Sequence, residues 1–151
     1  MFEDEHDLQE HEQHRPLSMV LLGGLYLFFF VLTASTYGNP FPFMGRIYEG
    51  LWAQALVFVD SLFMLYLFLG LMKRQKLTWY LLMGYNAFEA LNTIVNLIYI
   101  SSAEVERIAG KPVDPEALLI NNIVVLGAIL FLSLFIYRQR PYFTNLSRYV
   151  F

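Results

Sequence analysis

The hydrophobic pattern of the chain is dominated by four long apolar stretches, roughly residues 17–36, 51–72, 77–100 and 117–137. Each is long enough to cross a bilayer, because a helix rising about 1.5 Å per residue covers a hydrocarbon core of about 30 Å in about 20 residues. Spanning helices also satisfy their own backbone hydrogen bonds, which lipid cannot do. The pattern predicts an all-α integral membrane protein, an antiparallel bundle of four transmembrane helices. Residues 16–137 form the membrane domain, between an acidic tail (1–15) and a basic, aromatic tail (138–151).

The polar interruptions predict how these helices are joined. Arg15-Pro16 opens the first helix, since proline in a first turn lacks only an N–H that would have no partner there. The loop YGNPFPFMGRIYEGLW, which runs into the start of the second stretch, is rich in glycine, proline and aromatics and cannot continue a helix. Its Phe41 and Phe43, with Trp52, suggest a segment lying against the membrane interface. KRQK, between the second and third stretches, is short enough to make these two helices antiparallel neighbours. The third loop contains a short amphipathic turn ending at Gly110. Asp114-Pro115-Glu116 then reads as a helix start: a capping carboxylate, proline in the first turn and an acid near the positive end of the dipole.

Composition agrees with this pattern. Apolar residues make up 57% of the 151 residues and charged residues 15%, against about 25% charged for a soluble domain that must cover its surface. The basic residues form no clustered stripe of the kind that binds nucleic acid. No cysteine is present, which excludes disulfides, thiolate metal sites and thiol catalysis. The region before the first stretch, MFEDEHDLQEHEQH, is acidic where a cleavable signal needs positive charge. Arg15, Lys73, Arg74, Lys76, Arg138, Arg140 and Arg148 fall on one side of a four-span topology, and Arg46, Arg107 and Lys111 on the other. By the positive-inside rule both termini are cytoplasmic and the protein is a multi-pass protein of the cell membrane. The tail RQRPYFTNLSRYVF reads as an anchor on an anionic inner leaflet. Its Asn145-Leu146-Ser147 triplet is formally a glycosylation acceptor but lies on the cytoplasmic side.

The third stretch raises the chemical question. Tyr85, Glu89, Asn92 and Asn96 share one helical face, with Asn86 and Thr93 beside them. Gly84, Ala87 and Ala90 flank the stripe and would let a neighbouring backbone approach. The second stretch adds Gln54, Asp60 and Ser61, and the fourth adds Asn121 and Asn122, so the polar groups gather in the outer half. No Lys, Arg or His lies within a span to neutralise Asp60 or Glu89, and a central Asp costs about 2.5–3.5 kcal/mol on insertion scales. The acids share a proton, are protonated and bonded to amides, or take their counter-charge from an outside cation. Asp60, Glu89, Asn86, Asn92, Asn96, Gln54, Asn121 and Asn122 are therefore candidates for ligand or proton binding. The competing reading is glue, since interhelical polar bonds contribute about 0.6 kcal/mol each.

Other chemistry is thin. His6, His11 and His14 among acids are weak metal-ligand candidates without packing to hold them. Without histidine in a span, intramembrane haem ligation and His–acid catalysis are not expected, and no cofactor is implied. Phosphate loops, nucleophile elbows and zinc-protease helices are absent, so the expected protein is not an enzyme. In size the chain resembles the small multidrug transporters, which also have four helices and one essential acid. Here the acids stand on the second and third spans and the first has none, so no residue is carried across. The expectation is a small accessory or scaffold subunit, or a bundle that binds a small ligand in a polar pocket. Its partners would be the lipid bilayer and further copies of itself or a larger membrane complex. The alternative is a proton- or cation-coupled transporter, acting as an oligomer through Glu89 and Asp60.

Overall fold

The computed structural model describes residues 16–148. The His6, His11 and His14 expectation lies outside the described residues. Four long helices dominate: α1 (Leu17–Ser35), α2 (Gly50–Met72), α3 (Lys76–Tyr99) and α5 (Pro115–Arg138). A two-stranded hairpin, β1 (Phe41–Phe43) and β2 (Arg46–Tyr48), joins α1 to α2, and a short helix α4 (Ser102–Ala109) joins α3 to α5. A 3-10 turn, Arg140–Tyr142, follows α5.

Three of these helices, α1, α2 and α5, are long and apolar enough to cross a membrane. Against the expected four spans, α3 has the length but not the apolarity. Asn86, Glu89, Asn92, Thr93 and Asn96 replace the aliphatic residues that would carry it. The expected stretches otherwise match the observed helices to within two residues.

Local chemistry explains the helix ends. Ser101 caps α4 by accepting from the Glu104 amide, and Gly110 closes it in the left-handed conformation at φ 66°. Asp114 caps α5 through the Glu116 amide at 3.0 Å, with Pro115 in the first turn.

α1 packs chiefly along α2, and α3 along α5, while α2 and α3 touch less extensively. The buried core lies at the end where residues 73–76 meet the C-terminal segment, here the tail end. Met19, Leu22 and Tyr26 of α1 meet Met64, Leu67 and Leu71 of α2, Trp79 and Leu82 of α3, Ile136 of α5 and Phe143 beyond it. Gly70 lets α2 approach α3: a Cβ there would collide with Thr78. Ser18 Oγ donates to Gln139 Oε1 at 2.7 Å, tying the start of α1 to the end of α5.

The C-terminal segment is sewn to this end. The Lys76 amide donates to the Asn145 carbonyl at 2.8 Å, and the Asn145 amide donates to the Arg74 carbonyl at 3.1 Å. Asn145 Nδ2 reaches the Lys73 carbonyl at 3.1 Å, and Arg74 Nε the Tyr142 carbonyl at 2.8 Å. Asn145, which the triplet motif left without a role, is thus the residue that holds tail and loop together.

Candidate functional site

At the opposite end, here the hairpin end, the amides of α3 have specific structural uses. The hairpin turns at Met44 and Gly45, between the paired Phe43 and Arg46. Both residues have positive φ, 47° and 80°, the type I′ pattern that favours Asn-Gly. Met44 is an uncommon occupant of such a turn. Its amide donates to Asn92 Oδ1 at 2.8 Å and the Gly45 amide to Asn96 Oδ1 at 2.7 Å. Asn96 Nδ2 also approaches Asn92 Oδ1 at 3.4 Å. Gly45 is required twice over, by its φ and by Tyr99, whose Cβ would stand 2.8 Å from an added side chain. The expected interface loop is therefore a hairpin docked on α3. Deeper in, Asn86 Oδ1 accepts from the buried Tyr26 hydroxyl at 3.0 Å. Asn86 Nδ2 and Ser61 Oγ are buried without a hydrogen-bond partner among the described residues.

The acids are placed differently. Asp60 lies ten residues beyond Gly50 and Glu89 ten residues before Tyr99, a depth of about 15 Å each from the hairpin end. Both line one cleft of about 470 Å³ between α2 and α3, roofed by β1. Tyr85 donates its hydroxyl to Asp60 Oδ1 at 2.7 Å. Glu89 lines the same cleft, one helical turn along α3 from Tyr85. Phe41, Phe43, Phe63, Tyr80, Tyr85 and Phe88 supply aromatic walls, and no Lys, Arg or His among the described residues lines the cleft. Phe63 stacks on Tyr85 with centroids 5.2 Å apart, and Phe43 meets Phe88 at 6.0 Å. Val59 and Tyr80 are exposed, so the cleft opens sideways between the helices as well as beneath the hairpin. Gly84 does not admit a neighbouring backbone, contrary to expectation. A Cβ there would meet no atom of a neighbouring element among the described residues within 4 Å, and the residue lines the cleft.

The remaining candidates lie elsewhere. Asn121 and Asn122 line a separate, wider cleft of about 660 Å³ with Asn96, Val105 and Ile108. Asn122 Nδ2 is spent on the Leu118 carbonyl at 2.8 Å. Gln54 lines neither cleft. No cluster of metal-ligating side chains forms among the described residues. The sequence reading passed over Tyr85 as a partner of Asp60 and the hairpin aromatics as walls. The stripe spacing places Tyr85 beside Glu89, but only the fold brings α2 and β1 to it.

Two carboxyl groups, a phenol and aromatic faces can hold a cation. Carboxylates supply charge, and ring faces attract a cation within about 6 Å of their centroids. The chain matches no family model, no curated protein and no solved structure.

Proposed function

We propose that the protein is a non-enzymatic, multi-pass protein of the cell membrane that binds a small organic cation in the cleft between α2 and α3. The observation that carries this reading is the convergence of Asp60 and Glu89 in an aromatic cleft that no basic side chain among the described residues lines. An amine or quaternary ammonium group would supply the missing charge, and its apolar substituents would lie on Phe41, Phe43, Phe63 and Phe88. The sideways opening suits a guest that arrives through the lipid. In this reading α3 is a fourth span, its polar face turned to protein, and the tail end is cytoplasmic by the distribution of Lys and Arg. The bundle works as a binding or accessory subunit, alone or with further copies.

Thermal stability of the purified protein against a panel of organic amines tests the site. A ligand at a hundred times its Kd stabilises the folded state by about 2.7 kcal/mol. That gain is expected in the wild type and absent in Glu89→Gln. Equal melting of both proteins with every amine would return the acids to helix glue. Single cysteines in the cysteine-free chain test the topology. Lys73→Cys should react with an impermeant reagent only from the cytoplasm and Lys111→Cys only from outside.

The transporter alternative requires access from both ends. The packed and hydrogen-bonded tail end favours the binding reading over it.

A further inference from the structure

The tail end carries a second charged surface, independent of the cleft. Lys73, Arg74, Lys76, Arg138, Arg140 and Arg148 gather there without an acid among the described residues of that end. The nearest described acids, Asp60 and Glu89, lie 12 and 13 residues along their helices from Met72 and Lys76, about 18–20 Å away. Within this surface is a concavity of about 300 Å³ lined by Lys76, Trp79, Arg140, Pro141 and Phe143.

Its walls are fixed. Trp79 is buried, and its indole N–H is spent on the Ile136 carbonyl at 3.1 Å. Phe143 is part of the core. Arg140 lies over the Trp79 ring, its Cζ 5.0 Å from the centroid, a cation–π contact that orients the guanidinium. The Lys76 backbone amide is already paired with Asn145, so the free donors of the concavity are the Lys76 ammonium and the Arg140 guanidinium. A point charge beside a planar fork is the pairing that recognises a phosphate oxygen set. Beside it runs an exposed apolar flank of Leu77, Tyr80, Leu134 and Tyr137, along which acyl chains attached to that phosphate would lie.

We infer that this concavity binds the phosphodiester headgroup of an anionic membrane lipid, held by Lys76 and Arg140 against Trp79. A juxtamembrane cation near an anionic surface contributes about fivefold in affinity, so the pair should yield a preference of about 25-fold.

The test is native mass spectrometry of the full-length protein from micelles doped with equal phosphatidylglycerol and phosphatidylcholine. The wild type should retain the anionic lipid, and K76Q/R140Q should lose most of that preference. R46Q/K111Q, which removes the same charge from the hairpin end, should keep it. An unchanged preference in K76Q/R140Q, or an equal loss in R46Q/K111Q, overturns the site. Displacement of the lipid by soluble glycerol phosphate would make the ligand a free phosphate and overturn the lipid assignment. If the double variant does not fold, Lys76→Gln alone changes an exposed side chain and should cost about fivefold; no change there also overturns the proposal. Amine binding in the cleft plays no part in this readout.

Discussion

The two ends of the molecule use polar residues in opposite ways. At the tail end, hydrogen bonds close the structure. Asn145 ties the tail to the 73–76 loop, Ser18 ties α1 to α5, and the core of Leu22, Leu67, Leu82 and Ile136 fills the space between. At the hairpin end, Asn92 and Asn96 close one small turn, while Asp60 and Glu89 face an open cleft. Of the buried residues of α5, Ile136 near its tail-end terminus is the sole member, and the rest of the helix presents Ile120, Val124 and Phe131 outward. A protein of this size concentrates its cohesion at one end and leaves room for chemistry at the other. Polarity within an apolar helix is therefore not one signal: three asparagines of α3 are hydrogen-bonded within the fold, and one glutamate of the same stripe lines the cleft.

Substitutions can break this contrast. The largest effect is expected from Leu82→Ala, fully buried at the tail end, which should cost about 2–5 kcal/mol and is read by denaturation in mixed micelles. Gly84→Leu should fill the cleft without touching either acid. Its expected outcome is loss of the ligand-induced gain of about 2.7 kcal/mol, with unliganded stability kept or slightly raised, because leucine is the better helix former. A Gly84→Leu protein that still responds to amines would move the binding site away from Glu89. Asn96→Ala should strand the Gly45 amide at a cost of about 1–3 kcal/mol, and hydrogen exchange should show faster exchange at Met44 and Gly45 with the tail end unchanged. The smallest effect is expected at Val124→Ala, whose side chain is exposed: within about 0.5 kcal/mol. A large loss there would mean that a second copy covers α5.

The chain displays its helices openly because their signals are local. Asp114-Pro115, Ser101 and Gly110 mark their own boundaries, and the long apolar runs need no partner to be recognised. The hairpin is hidden for the opposite reason. Its strands are three residues each, one holds Pro42, and its turn is Met-Gly instead of Asn-Gly, so its stability comes from α3 across more than forty residues. The stripe on α3 was legible as a polar face, but not its division of labour. Asn92 and Glu89 differ in surroundings because the hairpin turn lies over one and α2 beside the other. The tail was legible as basic and aromatic, whereas the pairing of Asn145 with residues 73–76 depends on a chain reversal that no local pattern encodes.

The capping of the hairpin by α3 has a consequence for assembly. The turn at Met44 and Gly45 emerges from the ribosome 48 and 51 residues ahead of the asparagines that complete it. Until α3 is in place, the two amides of this turn lack their side-chain acceptors, and the hairpin has only its own short ladder and α2 to hold its shape. The closing of the hairpin and the seating of the least apolar long helix are then a single event. A half-made chain is marked by an open loop, and the finished one by a shut loop, so the hairpin doubles as a built-in sign that the third helix has arrived.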